Sequence, residues 1–245
     1  MAETVLVLAV TFLLAGTVKG VVGMGFPAVS LALLTLFVGL EDAMALMIVP
    51  SMLTNIMQAA TGKSLRTLLR RLWPLLVMIL VGVWIGTWGL ALSDVDLLAA
   101  LLGALILGYG VYGLTTPRLP ELVSFERPLS ALVGLTNGVV TGLVGTFFMP
   151  AVPYLQTLRL NRDDMVQAMG IVFTASTAGL AMSLSGFGMM TDSTAAWSLA
   201  GTVPAILGMV AGRRIRQRLD ERRFRHILLV TLMVLGAVIA VRALT

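Results

Sequence analysis

The chain has 245 residues, 58% hydrophobic and 12% charged, with a formal net charge of +5 and a mean hydropathy of +0.98. Soluble domains carry about 25% charged residues; half of that cannot coat a soluble globule, and a bilayer is the solvent that fits. The absence of cysteine excludes disulfides, thiolate metal sites, iron–sulfur clusters and cysteine nucleophiles, and the basic residues lie in short loops without the aromatic-interleaved surface that nucleic acid needs.

The start, Met1 to Thr4, has no basic residue ahead of its apolar run and reads poorly as a secretory signal. Apolar stretches then run over 5–38, 43–62, 72–92, 97–114, 129–158, 165–190, 194–212 and 226–244. A span needs about 20 apolar residues, and helices are expected because each backbone polar group must be satisfied within its own segment. The fold class is therefore an all-α integral membrane protein. The one Pro-rich polar stretch, Thr116 to Pro128, marks a boundary. It divides the chain into a first transmembrane repeat (1–115), a linker (116–128) and a second transmembrane repeat (129–245).

The first and fifth stretches are unusual. Residues 5–38 as one helix would be about 51 Å long, against a hydrocarbon core of about 30 Å. Both stretches are interrupted by glycine and proline. Gly16, Gly20 and Gly23 recur as Gly138, Gly142 and Gly145 at an offset of 122. Pro27-Ala28-Val29 recurs as Pro150-Ala151-Val152 at an offset of 123, which also relates Ala45 to Ala168 and Thr54 to Thr177. Four stretches on each side of the linker make an internal repeat.

Charge decides how the repeats relate. With eight plain spans, the basic residues of the loops divide six against nine, contrary to the positive-inside rule. If the first and fifth stretches are re-entrant, the 63–71 loop, the linker, the 159–162 loop and the 213–225 loop share the cytoplasmic side. Those four hold 15 of the 17 Lys and Arg residues. Each half then has three crossings, so the second is inverted relative to the first, an architecture that recurs in secondary transporters. The expectation is six spans and two re-entrant, Gly/Pro-broken elements.

Irregular backbone at membrane depth is tolerated where it is buried in protein or lines a cavity. Gly20, Gly23, Gly25, Gly142 and Gly145 let the backbone turn and let a ligand approach closely. Pro27 and Pro150 suit the first turn of a returning half-helix, whose N–H groups favour an anion. Lys19 adds a cation at depth; the alternative is that it snorkels to an interface or pairs with a carboxylate. Its repeat mate is Thr141, so the two motifs differ in charge. Polar lining is expected from Thr17, Ser51, Thr54, Asn55 and Gln58 in the first half. Asn137, Thr141, Thr174, Ser176 and Thr177 serve in the second. For any one of these the alternative is interhelical hydrogen bonding. Ser51, Thr54, Asn55 and Gln58 share one helix face. Trp73, Trp84, Trp88 and Trp197 read as interfacial anchors. The Arg213–Arg225 run reads as an orientation signal touching anionic lipids.

The stretches Val18-Lys19-Gly20-Val21-Val22-Gly23-Met24-Gly25-Phe26-Pro27 and Thr141-Gly142-Leu143-Val144-Gly145 to Met149-Pro150 resemble the sulfite exporter TauE/SafE family, and the resemblance covers nearly the whole chain. It implies a multi-pass protein of the bacterial inner membrane that exports sulfite, sulfoacetate, another organosulfonate or a related small anion by alternating access. Family motifs often carry a further glycine pair; Met24-Gly25-Phe26 keeps one glycine and Thr146-Phe147-Phe148 none.

The residues expected to bind the anion are Lys19, Gly20, Gly23, Gly25, Pro27, Ser51, Asn55, Asn137, Thr141, Gly142, Gly145, Pro150, Thr174 and Thr177. No cofactor, metal or nucleic acid is expected, and a homodimer is left open. Coupling to protons or to the membrane potential is expected, with Asp163-Asp164 and Glu41-Asp42 as interfacial relays. The rivals are a membrane-assembly subunit without flux and an anion channel. An intramembrane enzyme would need a nucleophile–base pair or metal ligands that the motifs do not supply. The topology is checked by labelling single cysteines at position 190 and in the 213–225 loop. The two label from opposite faces; labelling from one face overturns it.

Overall fold

The computed structural model describes residues 2–115, 126–216 and 220–244. Among them are eleven helices and no strand: α1 (Ala2–Val22), α2 (Phe26–Val38), α3 (Leu40–Leu46), α4 (Ile48–Ala59), α5 (Leu65–Leu92), α6 (Val95–Thr115), α7 (Glu126–Val144), α8 (Ala151–Gln156), α9 (Arg162–Gly186), α10 (Asp192–Arg216) and α11 (Glu221–Leu244). Residues 116–125 of the expected linker lie outside the described residues.

Six described helices are long and apolar enough to cross a membrane: α1, α5, α6, α9, α10 and α11, or seven spans if the bent α3–α4 pair counts as one. The number agrees with the expected six, but the membership differs. The stretch 43–62, expected as one span, is divided at Met47. Pro50 explains the division, since its ring clashes with the carbonyl four residues earlier, and α3 ends at that residue, Leu46. The stretch 5–38 is divided into α1, itself about 31 Å long, and the 13-residue α2.

Several basic residues assigned to loops lie on helices instead. Arg66, Arg70 and Arg71 are in the first turns of α5, Arg127 opens α7, and Arg213, Arg214 and Arg216 close α10. Hydropathy places a boundary where charge begins, but long basic side chains reach the headgroups while their backbone stays helical. Asn161 starts α9 by capping it, its Oδ1 accepting the Asp164 N–H at 2.8 Å.

The chain forms two compact units, each assembled from both halves of the sequence: residues 1–50, 93–117 and 190–245, and residues 51–92 and 118–189. In the first unit α1 packs on α10 and α6 on α11. Methyl groups placed on Gly16 and Gly20 would overlap the carbonyls of Ala205 and Met209. On Gly208 and Gly212 they would overlap those of Leu13 and Thr17. Phe12 stacks on Phe26, ring centroids 6.0 Å apart. The Val49 N–H, at the α3–α4 division, donates to Ser198 Oγ of α10 at 3.0 Å, which satisfies an amide at the break.

In the second unit α7 packs on α5, again through glycine. Methyl groups on Gly138 and Gly142 would overlap the carbonyls of Ile79 and Val83, and on Gly82 and Gly86 those of Leu135 and Val139. Gly16 and Gly20 in one unit thus do what their repeat mates Gly138 and Gly142 do in the other. Bulk at the crossing must push backbones apart, so Gly86→Leu or Gly208→Leu lowers stability by about 1–3 kcal/mol. Gly108, where a methyl meets nothing within 4 Å, accepts alanine within about 0.5 kcal/mol. Unfolding equilibria in mixed micelles check both.

Candidate functional site

In the first unit the predicted motif forms the turn from α1 to α2. Gly23 and Gly25 have φ of 82° and 96°, a region that glycine enters at little cost. The Gly23 N–H closes α1 by donating to the Lys19 carbonyl at 2.8 Å, and the Val29 N–H opens α2 on the Gly25 carbonyl at 3.0 Å. Pro27 sits in the first turn of α2, whose start has no side-chain cap. A methyl on Gly23 would meet nothing within 4 Å, so that flank of the turn is open.

Lys19, on the last turn of α1, is 4% exposed. Its Nζ lies 6.0 Å from the centroid of the Phe26 ring, a cation–π distance. The neighbouring Gly20 is pressed against the backbone of Met209 and Arg213. The helix crossing therefore sets the backbone position of Lys19. Tyr109 of α6 points its hydroxyl at Met24 Sδ, 3.0 Å away. Thr17 is turned to its own helix, donating to the Leu13 carbonyl.

The equivalent turn in the second unit is built from neutral groups. Gly145, φ 75°, ends α7 with its N–H on the Thr141 carbonyl at 2.8 Å. Thr141 Oγ1 lies 2.7 Å from the Asn137 carbonyl and 2.9 Å from the Thr146 carbonyl. Asn137 Oδ1 accepts the Ala151 N–H at 3.2 Å, next to Pro150 at the start of α8. Among the described residues, Asn137 Nδ2 and Thr146 Oγ1 are buried without a hydrogen-bond partner. Phe147 packs on Phe173 of α9, centroids 5.1 Å apart.

The predicted polar face of α4 is buried: Ser51 and Thr54 are 0% exposed, Asn55 1% and Gln58 4%. Asn55 Nδ2 donates to Thr177 Oγ1 at 3.1 Å. Ser51 Oγ, on that face, and Ser176 Oγ on α9 are buried without a partner. Thr174 is placed apart from this group. It lines an apolar hollow of about 350 Å³ with Ile56, Leu69 and Ile171, and its hydroxyl is satisfied by the Gly170 carbonyl. Gly20 and Gly142 stand in the helix crossings.

Three polar groups escaped the sequence reading. Gln167 donates to the Ala59 carbonyl and accepts from the Ser64 N–H, and Gln58 donates back to the Val166 carbonyl. A glutamine in each of two apolar stretches was the available signal. Thr146 was visible only as a departure from a glycine pattern. Arg71 and Glu126 form a bidentate pair at 2.6 and 2.8 Å; two opposite charges 55 positions apart give no sequence signal.

In each unit a helix break in an apolar segment is thus accompanied by buried polar side chains. The profile of the family described as Sulfite exporter TauE/SafE matches residues 8–239. The chain belongs to the TauE/SafE family. No curated protein and no solved structure matches it. Membership in this family of membrane sulfite exporters, together with six candidate spans, makes the chain a multi-pass membrane transport protein. In this TauE/SafE chain the Asn55–Thr177 bond is a test of what buried polar pairs contribute. A double-mutant cycle with Asn55→Leu and Thr177→Val should give a coupling of about 0.6 kcal/mol, and no more than about 1.7, read from unfolding in mixed micelles.

Proposed function

We propose that the protein is a secondary transporter that exports a small oxyanion, such as sulfite, sulfoacetate or another organosulfonate, by alternating access. The observation that carries this reading is Lys19: a basic side chain 4% exposed within a candidate span, beside an open, glycine-built turn and an uncapped helix start. A basic side chain buried within a candidate span is a functional candidate by default. A sulfonate or sulfite offers negative oxygens to the ammonium group and to the N–H groups of the α2 start. In the second unit, Asn137 Nδ2, Thr146 Oγ1, Ser51 Oγ and Ser176 Oγ are uncharged groups able to donate to anion oxygens.

The matched glycine crossings of α1 on α10 and of α7 on α5 support the repeat, with halves 1–115 and 129–245. The count of basic residues supports inverted halves, re-entrant turns at the two motifs and cytoplasmic Arg-rich segments; the family supports residence in the bacterial inner membrane. Proton or potential coupling completes the cycle.

Lys19→Met should reduce sulfite or sulfoacetate flux into proteoliposomes at least about tenfold, equivalent to about 1.4 kcal/mol, with insertion and thermal stability retained. Lys19→Arg keeps part of the flux. Undiminished flux through the methionine variant removes Lys19 from the mechanism, and no saturable anion flux in the unmodified chain sinks the reading.

A further inference from the structure

The first turns of α5 do more than set an orientation. At 28 residues, α5 is about 42 Å long, about 12 Å more than a hydrocarbon core. Residues 72–92 carry no charge, whereas Arg66, Arg70 and Arg71 lie ahead of them. The excess length therefore sits at the N-terminal end, in the headgroup layer.

At that end α5 meets the first turn of α7, and between them lies an open depression of about 540 Å³. It is lined by Arg70, Arg71, Trp73, Glu126 and Arg127 with two prolines. Arg71 is committed. Its Nε and Nη2 donate to the Glu126 carboxylate at 2.6 and 2.8 Å, and Nη2 reaches the Leu158 carbonyl at 3.0 Å. That pair cancels in charge. Arg70 and Arg127 remain as two cations on one depression, with no ion pair or hydrogen bond among the described residues.

The apolar surface runs straight into this basic one. Leu69, Trp73 and Val77, four residues apart along α5, are 42%, 59% and 48% exposed. They make a stripe that faces the acyl chains, and Trp73 belongs to both stripe and depression. Two guanidinium groups without a counter-charge among the described residues, at headgroup depth above an acyl-facing stripe, complement a lipid with net negative charge. A zwitterionic lipid brings its own cation and gains nothing from the second arginine.

We propose that this depression binds the phosphate headgroup of an anionic phospholipid, with its acyl chains along the outward stripe of α5. The site is separate from the Arg213–Arg225 segment and independent of the anion-transport reading.

The test uses the full chain with Trp84→Phe, Trp88→Phe and Trp197→Phe, so that Trp73 is the only indole. It is reconstituted in phosphatidylcholine vesicles containing rising fractions of bromine-labelled lipid. Each cation near a membrane surface contributes about fivefold in lipid affinity. Brominated phosphatidylglycerol should half-quench Trp73 at a mole fraction at least about fivefold lower than brominated phosphatidylcholine. Arg70→Gln with Arg127→Gln should erase that preference, and Arg70→Lys with Arg127→Lys should keep it. Equal quenching by the two lipids overturns the proposal, as does a preference unchanged in the double glutamine variant. Release of the phosphatidylglycerol quenching by millimolar inorganic phosphate, but not by equal chloride, also overturns it, by assigning the site to a free anion. If the glutamine variant fails to fold, the two-lipid comparison in the parent chain decides by itself.

Discussion

Helices inside a bilayer gain nothing by hiding apolar side chains from one another, because lipid tails are as apolar as leucine; close packing and hydrogen bonds must hold them together. The molecule meets that constraint with glycine faces that bring helix backbones into direct contact. Gly16 and Gly20 of α1 lie on α10, where Gly208 and Gly212 return the contact; Gly138 and Gly142 of α7 lie on α5 against Gly82 and Gly86. In each unit the glycine-built turn follows directly on its own crossing. Lys19 precedes a glycine wedged against Met209 and Arg213, and Thr141 precedes one wedged against Val83 and Thr87.

The two turns that follow the crossings solve one backbone problem with different chemistry. Each ends its helix with a glycine N–H on a carbonyl four residues back, Gly23 on Lys19 and Gly145 on Thr141. After that they diverge. The first turn is short and leads into the 13-residue α2, with the buried Lys19 side chain beside it. The second is longer, leads into the six-residue α8, and is held by Asn137 and Thr141 side chains on backbone groups. The basic side chain and the longer helix belong to one turn, and neutral side chains holding backbone groups belong to the other.

Much of this was legible in the residues. The spacing of Gly16, Gly20 and Gly23 against Gly138, Gly142 and Gly145 marked both helix ends, because a positive φ at the last glycine is a local requirement. The face formed by Ser51, Thr54, Asn55 and Gln58 was legible from helical periodicity, and all four are buried. The role of Gly20 and Gly142 was not. A glycine that admits a ligand and a glycine that admits a helix look the same until the partner is known, and Gly208, Gly212, Gly82 and Gly86 lie far away in sequence. Thr174 was grouped with Thr177 by composition, yet its half-buried side chain looks into an apolar hollow. Span boundaries were also misjudged at Arg66, Arg70, Arg127 and Arg213, where charge begins before the helix ends.

By itself the sequence determined the solvent, the helical class, the duplicated motif and the inequality of Lys19 and Thr141, since these follow from composition, local backbone sterics and residue identity. Only the tertiary structure decided which helices cross, which buried donors lack partners, and which arginine is committed to Glu126 and which are left open. Those outcomes depend on groups 50 to 200 positions apart meeting within a few ångströms, and no local preference carries that information. The broken motif is therefore written in the chain, but the surroundings of Lys19 are set by where α10 lies.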